Sequence, residues 1–362
     1  MSSKEIYKIN LKEAYKLSQL SPMFYSKKHN SLVIFSYHFI DPSVFQNYPE
    51  TRELRGIIFD SASGEVVARP FPKFFNLGED ACTVTEDTEV SANEKIDGSL
   101  VTAFVYNQRI QLASKGSLNS WVTQEATQLL TANHKKLVKD LYDRGYTTIF
   151  EYISKDKPVV IHYPHSKLIF VGARSTYSGE LMMPEVIVEI AERYNVPYAH
   201  IQFQNVQAWK IKKSIRNKEG IEGVVAYADS ANIAKIKTEW YFLLNKYSPM
   251  NLTEKQIRKA FFEQTIDDIY SSLPEASKKR VNEIIVKITK QIEKRVKEVS
   301  EFFETVDTSI SRKEFALLVQ KSVKPEQRSV YYAVHFYGKS VEEAVFEYFK
   351  KHTSRFRGGG EK

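Results

Sequence analysis

The spacing of apolar residues changes near residue 250, and this change limits the folds that the chain can adopt. Up to about Phe242, short β-branched and aromatic runs of the kind that form strands recur between turn residues. From Val281 to Phe303, apolar residues are instead spaced by threes and fours, which is typical of an amphipathic helix. We therefore predict an α+β domain with antiparallel or mixed sheets over residues 1–245, followed by an all-α domain over residues 246–362.

The individual elements follow from the same patterns. The predicted strands are Ser31–Tyr37, Gly56–Phe59, Leu100–Tyr106, Arg109–Ser114, Thr147–Tyr152, Leu168–Arg174, Gly223–Tyr227 and Ile233–Lys237. The predicted helices of the first domain are Lys4–Leu20, Ser120–Arg144 and Pro184–Tyr194, and Asn107-Gln108 and Asp229-Ser230 are the expected hairpin tips. In the second domain, Ser-x-x-Glu capping boxes at Ser272, Ser311 and Ser340 predict helix starts.

Composition excludes several classes of protein and favours one kind of partner. The single cysteine, Cys82, excludes a disulfide framework and a cysteine-clustered zinc site. No apolar run approaches the ~20 residues of a membrane helix, and the first ten residues lack a signal-peptide core, so we expect a soluble, cytoplasmic protein. We also expect a monomer. Residues 243–362 carry 23 basic and 17 acidic side chains. This excess suggests a polyanionic partner such as nucleic acid, although a solvated lysine-rich surface would have the same composition.

A lysine lies in a short polar motif between two predicted strands. The motif is Glu94-Lys95-Ile96-Asp97-Gly98-Ser99. A lysine amine can attack an electrophilic phosphorus or carbonyl when its environment favours the neutral form. An ordinary hairpin turn would have the same residues, so the motif alone does not establish a nucleophile.

Further cations lie at the ends of predicted strands. Arg55, Lys73 and Lys115 are three of them. Lys235 and Lys237 are two residues apart in one strand, so they share a face of the sheet. Two like charges on one face repel each other unless an anion lies between them, and either a polyphosphate or plain solvent could relieve that repulsion.

Two carboxylates interrupt apolar strand segments. Glu151 lies in Ile149-Phe150-Glu151-Tyr152, and Glu222 lies in Ile221-Glu222-Gly223-Val224. An isolated buried charge is unfavourable, so each carboxylate is expected to have a cationic partner or a metal, unless it lies on an edge strand and faces water.

The order of these motifs resembles that of the covalent nucleotidyltransferases, which include DNA ligases, RNA ligases and mRNA capping enzymes. The flanking residues resemble the T-even bacteriophage RNA ligase 1 family in particular. The segments that carry this resemblance are Phe35-Ser36-Tyr37, Leu54-Arg55-Gly56, Lys73-Phe74-Phe75-Asn76-Leu77, Lys115-Gly116-Ser117 and Lys235-Ile236-Lys237-Thr238-Glu239-Trp240-Tyr241. One departure is Ile96, where the T-even enzyme has an acidic residue.

The resemblance implies a nucleotidyltransferase fold of the ATP-grasp-like ligase type and an ATP-dependent RNA ligase activity. Lys95 would form a lysyl-AMP, AMP would pass to an RNA 5′-phosphate, and a 3′-hydroxyl would then displace it. The positions implied to bind ATP are Tyr37, Arg55, Lys73, Phe75, Gly98, Lys115, Glu151, Glu222, Lys235 and Lys237. Among these, Lys235 and Lys237 would face the α-phosphate.

Further roles implied by the resemblance concern the metal and the RNA. Glu222 would help to hold Mg²⁺ or Mn²⁺, and Asp267 and Asp268 match a second metal position of the family's helical domain. Trp240 and Tyr241 would contact an RNA end or serve a structural role. The partner would be single-stranded RNA with 5′-phosphate and 3′-hydroxyl ends, and the helical domain is associated in the family with broken tRNA. A phage origin would place the enzyme in the cytoplasm of a bacterial host.

Two alternatives remain at this stage. A DNA ligase or capping-type enzyme would continue past Lys237 into a small β-barrel, whereas here the strand pattern stops and helices begin. A non-catalytic RNA-binding protein with an inactive nucleotide pocket would bind RNA without forming an adenylate.

Overall fold

The computed structural model describes residues 9–37, 40, 42–244, 253–263, 266, 270, 275–307 and 310–352. Contacts between Cα atoms divide the chain into two compact units, Met1–Lys246 and Tyr247–Lys362. In the described part, the first unit contains three sheets with helices, and the elements of the second unit are all helical. The predicted α+β fold class is therefore confirmed.

The strands of the first unit lie between Phe24 and Lys237. They are β1 (Phe24–His29), β2 (Leu32–Tyr37), β3 (Ile57–Asp60), β4 (Val66–Ala68), β5 (Phe75–Asn76), β6 (Glu89–Lys95), β7 (Ser99–Tyr106), β8 (Arg109–Ser114), β9 (Tyr146–Ile153), β10 (Lys167–Ser175), β11 (Ile201–Gln207), β12 (Gly223–Tyr227) and β13 (Ile233–Lys237). The first sheet has the order β1-β2-β3-β4, the second β10-β9-β7-β8, and the third β11-β6-β12-β13-β5. Neighbouring strands are antiparallel, except for the parallel pair β13 and β5.

The helices occur in both units. They are α1 (Leu11–Ser18), α2 (Pro42–Asn47), α3 (Trp121–Gln128), α4 (Ala132–Asp143), α5 (Pro184–Tyr194), α6 (Ala208–Ile215), α7 (Glu239–Leu244), α8 (Glu254–Phe262), α9 (Glu275–Thr305), α10 (Arg312–Ser322), α11 (Arg328–Tyr337) and α12 (Val341–Lys351), with short 3-10 helices at Pro49–Glu53 and Pro325–Gln327. None of the helices in the described ranges has the length and apolar character that a membrane crossing requires.

The third sheet is buried on both faces, and its two faces have different neighbours. Alternate residues of β6, β12 and β13, such as Ala92, Val224 and Ile236, form an apolar cluster with α6. On the opposite face, Tyr227 packs with Ile149 of the second sheet. Because side chains alternate along a strand, the face that carries Lys95 and Lys237 is the one turned toward the second sheet.

One predicted hairpin tip and one predicted helical stretch can be compared with the structure. Asn107 and Gln108 have φ angles of 48° and 61°, as a two-residue hairpin loop with positive φ requires, so this predicted tip is confirmed. The helical stretch predicted over Ser120–Arg144 is largely helical in the structure, where it is divided into two helices, α3 and α4. Thr131 separates them, since its side chain accepts a hydrogen bond from the N–H of His134 and thereby caps α4.

The second unit contains the predicted amphipathic helix as α9. Its apolar stripe is buried, as the spacing of Val281, Ile288 and Val299 predicted. The predicted caps Ser311 and Ser340 each accept a hydrogen bond from the N–H three residues later. The predicted cap Ser272 and the N-terminal part of the predicted helix Lys4–Leu20 lie outside the described residues.

Candidate active site

Three neighbouring strands of the third sheet place two of the predicted lysines in one row. Lys95, the last residue of β6, pairs with Gly223 of β12, and Gly223 pairs with Lys237 of β13. Gly223 has a φ of +149°, and a Cβ there would lie 2.1 Å from the Ile236 carbonyl oxygen. A side chain at this position is therefore excluded, and the glycine allows the backbone of β12 to lie close to that of β13.

Glu222 lies immediately before β12 and joins the two lysines. Its Oε1 is 2.8 Å from Lys95 Nζ and 2.9 Å from Lys237 Nζ. The side chains of Lys237 and Glu222 are 1% and 3% exposed, whereas that of Lys95 is 19% exposed. The N–H of Thr238 donates to the Glu222 carbonyl at 3.0 Å, which fixes the backbone beneath the carboxylate. One carboxylate thus neutralises one of two buried positive charges, and Lys95 is the cation that remains accessible.

Lys235 extends the row of cations along β13. It pairs with Asn76 of β5, and its Nζ lies 5.2 Å from the ring centroid of Phe74. Because Lys235 and Lys237 are two residues apart in the strand, they share the face that carries Lys95. The structure therefore brings Lys95, Lys235 and Lys237 to one face of the sheet, an arrangement suited to a polyphosphate.

Glu151 belongs to the facing sheet and has an unusual charge environment. Its strand, β9, lies between β10 and β7, so the alternative of an edge-strand carboxylate is wrong. Burial raises the pKa of Glu151 to about 8, against the opposing effect of the Lys95 and Arg55 charges. A Cβ at Gly98 would lie 2.5 Å from the Tyr152 carbonyl oxygen and 3.0 Å from Glu151 Cγ. The glycine of the lysine motif is thus required for close approach to β9.

Asp97 of the same motif is buried and links three parts of the first unit. Its Oδ2 accepts hydrogen bonds from the N–H groups of Val160 and Ile161 at 2.8 and 2.6 Å. Its Oδ1 accepts one from Tyr241 Oη at 2.8 Å. Burial raises the pKa of the Asp97 carboxyl group, and the nearby Glu222 charge contributes to this increase. This hydrogen bond is compatible with the structural role of Tyr241, and the choice between its two predicted roles stays a prediction.

Two of the other predicted cations, Lys73 and Lys115, lie against aromatic rings. Lys73 is buried, with its Nζ 5.2 Å from the ring centroid of Phe75. Lys115 Nζ lies 4.1 Å above the ring of Tyr37, which is itself buried. Arg55 donates to the Phe71 carbonyl oxygen at 3.4 Å and is close enough to Glu151 to lower its pKa. Phe75 and Tyr37 thus contribute ring faces that hold cations.

Some predicted positions are not joined to this group. Trp240 is partly exposed on α7. Asp267 and Asp268 lie outside the described residues. In the described part of the chain, no cluster of three or more His, Cys, Asp or Glu side chains is arranged to hold a metal ion.

The structure also contains residues that the sequence did not single out. Glu53, Arg69 and Arg174 form a buried ion-pair cluster, with Glu53 Oε2 3.0 Å from Arg69 Nε and Glu53 Oε1 2.6 Å from Arg174 Nη2. Gly223 and Asp97 belong to the predicted motifs, but the motifs predict no role for either residue. The Glu-Gly dipeptide before a strand was the available signal for Gly223, whereas the ion-pair cluster has no local sequence signal.

The comparisons with known proteins agree on one family. A family model described as RNA ligase matches residues 53–249, a range that includes the lysines, Glu151 and Glu222. A protein named "Putative RNA ligase" from Thermovibrio ammonificans is 31% identical over 278 residues, which are 73% of this chain and 72% of that protein. "RNA ligase 1" of Bacteriophage TS2126 is 28% identical over 280 residues, covering 73% of this chain and 69% of that protein.

A solved structure shares the fold. The "Putative ATP-dependent DNA ligase from Aquifex aeolicus" aligns with a TM-score of 0.50 and 17% identity, covering 81% of this chain and 75% of that chain. At this identity the similarity concerns the fold alone, and it agrees with a ligase-type nucleotidyltransferase fold.

Proposed function

This chain belongs to the T-even bacteriophage RNA ligase 1 family, and from this premise we propose that it is an ATP-dependent ligase acting through a lysyl-AMP on Lys95. Its RNA substrate would carry a 5′-phosphate on one end and a 3′-hydroxyl on the other. The observation that carries the proposal is the row of Lys95, Gly223 and Lys237, with Glu222 bridging the two lysines.

In the first step, the neutral Lys95 amine attacks the α-phosphorus of ATP. A nitrogen–phosphorus bond forms, the bond from the α-phosphorus to the bridging oxygen breaks, and pyrophosphate leaves with the electron pair. Glu222 Oε1, 2.8 Å from Lys95 Nζ, is positioned to accept the proton that the amine loses. Lys237 and Lys235 lie on the same face, where their charges stabilise the negative charge that develops on the phosphorus oxygens.

The donor set suits a divalent cation that retains most of its water. Glu222 is a buried carboxylate that faces the proposed phosphate position, and the described residues contain no larger cluster of metal-binding side chains. Mg²⁺ binds through one or two carboxylates together with substrate phosphates, so Glu222 would be its protein ligand here, and Mn²⁺ would suit the same donors. When bound, the cation neutralises phosphate charge.

The nucleoside and the outer phosphates have separate candidate contacts. Glu151 lies on the facing strand, where its carboxyl group would accept a hydrogen bond from the ribose. Lys73 and Arg55, with Lys115 above Tyr37, would hold the outer phosphates and orient pyrophosphate as the leaving group.

Two further transfers complete the proposed reaction. An oxygen of the RNA 5′-phosphate attacks the lysyl-AMP phosphorus, the nitrogen–phosphorus bond breaks, and Lys95 regains its proton. The 3′-hydroxyl of the second end then attacks the phosphorus of the 5′-phosphate and loses its proton to solvent. The bond from that phosphorus to the bridging oxygen breaks, AMP leaves with the electron pair, and a phosphodiester remains.

Broken tRNA is the natural substrate that we propose within this class. The support is the basic excess of residues 243–362, together with the helical elements of the second unit. The full-length protein should join a tRNA cleaved in its anticodon loop with a higher kcat/KM than an unstructured RNA of equal length. Equal values would contradict the tRNA proposal and leave the ligase proposal intact.

A joining assay tests the function itself. The full-length protein is incubated with ATP, Mg²⁺ and a single-stranded RNA that carries a labelled 5′-phosphate. We expect the label to become resistant to phosphatase, as it does when it enters a phosphodiester, and we expect no resistance with Lys95→Ala. Salt-dependent RNA binding without any protected label would instead support a non-catalytic RNA-binding protein.

A further inference from the structure

A groove with no role in the proposed chemistry lies beside the strand that carries Lys95. Its volume is about 510 Å³. Glu94 and Ile96, the chain neighbours of Lys95, line one side. Another side includes Ile153, the last residue of β9, which is the strand that carries Glu151. The groove therefore touches the strand that carries the proposed nucleophile and the strand that carries the proposed ribose contact.

Two aromatic side chains are displayed in this groove from an extended segment that is hydrogen-bonded to two sheets. Tyr198 and His200 are two residues apart, and the intervening Ala199 is buried. The N–H of Ala199 donates to the Phe170 carbonyl of the second sheet at 3.0 Å. The N–H of Glu94, in the third sheet, donates to the His200 carbonyl at 2.9 Å. The positions of the two rings are thus fixed relative to Lys95.

The rings form a small stacking surface. Their centroids are 4.6 Å apart, with an angle of 58° between the planes. Tyr198 Oη donates to Glu192 Oε1 at 3.0 Å, which restrains the tyrosine, and His200 is exposed. Tyr198 is partly buried against the core of the second sheet, so part of its ring remains accessible from the groove. Accessible aromatic ring faces beside a groove are an element on which proteins stack unpaired nucleic acid bases.

The polar lining of the groove suits the remaining parts of a nucleotide. His165 and Lys167 are exposed and can contact phosphates. Glu94 provides a carboxylate that can accept hydrogen bonds from base amino groups. Lys167 and Asn195 also line a second groove of about 500 Å³, so the path continues away from Lys95.

We propose that this groove binds single-stranded RNA next to the end being joined, with bases stacked on Tyr198 and His200 and phosphates beside Lys167. The proposal rests on the RNA ligase function above. It adds the place where the RNA strand lies and the residues that hold it. The strand could be the one that carries the 5′-phosphate or the one that carries the 3′-hydroxyl, because the two have the same bases and backbone.

Tyr198→Ala and His200→Ala, each in the full-length protein, test the groove at three separate steps. The first readout is lysyl-AMP formation from ATP without RNA. The second is transfer of AMP to a 5′-phosphorylated oligoadenylate. The third is joining of a pre-adenylated RNA to a 3′-hydroxyl oligoadenylate without ATP. We expect each alanine variant to raise the KM for RNA about tenfold or more at the second or third step, as loss of one stacked base requires.

The controls separate stacking from folding. Tyr198→Phe retains the ring and should keep the KM for RNA within about twofold of the original value. Tyr142→Ala removes an exposed aromatic ring on α4, outside the groove, and should have no effect on that KM. Lysyl-AMP formation should stay unchanged in all of these variants, which also shows that they are folded.

The reaction step at which the KM for RNA rises distinguishes the outcomes. A raised KM at AMP transfer assigns the groove to the 5′-phosphate strand, and a raised KM only at joining assigns it to the 3′-hydroxyl strand. An unchanged KM for RNA at both steps would overturn the proposal, as would a raised KM for ATP, because the groove would then hold the adenosine of ATP. Failure of the ligase function itself would look different, since the unaltered protein would then form no lysyl-AMP.

Discussion

The first unit contains two clusters in which one buried carboxylate lies between two cations. The lysine cluster consists of Lys95, Glu222 and Lys237, and the arginine cluster consists of Arg69, Glu53 and Arg174. The two clusters have the same net charge, and both join residues that are distant in the chain. Their cations, their exposure and the number of carboxylate oxygens that take part distinguish them.

In the arginine cluster, every side chain is at most 6% exposed. Arg174 binds Glu53 through two nitrogens, at 2.6 and 2.8 Å, and its Nε donates to the Gly179 carbonyl at 2.7 Å. These contacts hold the Pro49–Glu53 helix, the segment after β4 and the end of β10 together. The flanking arginines lower the pKa of Glu53 to about 2, although burial acts in the opposite direction.

The lysine cluster has fewer constraints on its cations. A single oxygen of Glu222 accepts from both ammonium groups, and Lys95 is partly exposed. An arginine in a protein retains its proton, whereas a lysine can lose one and become a nucleophile. A buried carboxylate between two cations therefore stabilises the fold when both cations are buried arginines. The same arrangement is suited to catalysis when one cation is an accessible lysine.

The largest expected effect on stability is at the arginine cluster. Glu53→Gln leaves two buried guanidinium groups without a counter-charge, which should cost about 3–5 kcal/mol of the free energy of unfolding. Urea unfolding at neutral pH measures this loss. The rate of lysyl-AMP formation per folded molecule should not change, and a selective loss of that rate would contradict the division between the two clusters.

The pH dependence of the same variant is a further test. Because the pKa of Glu53 is lowered to about 2 from 4.5, its stabilisation is fully present above pH 4.5. This stabilisation is lost as the pH falls from 4.5 toward 2. The unaltered protein should therefore lose more stability between pH 4.5 and 2 than Glu53→Gln, and parallel curves would contradict the assignment.

The next largest effect should be on catalysis at the lysine cluster. Lys237→Met removes a buried cation on the face where the phosphate is expected, so lysyl-AMP formation should slow by about 10²–10³-fold. Stability should change by less than it does in Glu53→Gln, because Lys95 still neutralises Glu222. Rapid-quench measurement with labelled ATP gives the rate. Arg69→Lys is the matched change in the other cluster and should lower stability without lowering this rate.

Glu151 should show a smaller effect that depends on pH. Because its folded pKa is raised to about 8, the folded state holds an extra proton between pH 4.5 and 8, and stability falls as pH rises through that range. Glu151→Gln has no charge to bury, so at pH 9 it should be more stable than the unaltered protein by about 1–2 kcal/mol. At pH 5 the two should have similar Tm values. An equal Tm difference at both pH values would show that burial does not raise the pKa of Glu151.

The smallest expected effect is at Tyr241. Tyr241→Phe removes one hydrogen bond to the buried Asp97 and should cost about 1 kcal/mol of the free energy of unfolding. Denaturant unfolding measures this cost. The KM for RNA should stay within about twofold, because the hydroxyl group is occupied by Asp97. A large increase in that KM with unchanged stability would support the RNA-end alternative.

Local patterns in the sequence predicted much of the fold. Short β-branched and aromatic runs between turn residues predicted β8, β12 and β13 at their observed bounds, and a helical stretch predicted α5 at its observed bounds. The Lys-x-Lys spacing predicted a shared face. The roles of the individual site residues in catalysis stay predictions.

Features that depend on pairing between distant strands could not be predicted in this way. The row that joins Lys95 to Lys237 exists because β12 lies between β6 and β13, and no local spacing specifies that order. The sequence likewise did not specify whether the strand of Glu151 lies at the edge or in the interior of its sheet. The backbone N–H groups of Val160 and Ile161 that bind Asp97 carry no sequence signal, because every residue except proline has one.

The central claim is that Lys95 carries the AMP group, and peptide mapping tests it most directly. The full-length protein is incubated with ATP and Mg²⁺ in the absence of RNA, and mass spectrometry locates the adenylated residue. We expect AMP on Lys95 alone, linked through Nζ and removed by acid, and no modification in Lys95→Ala that retains the original Tm. AMP on another lysine, or none with any nucleotide and divalent metal, would contradict the account.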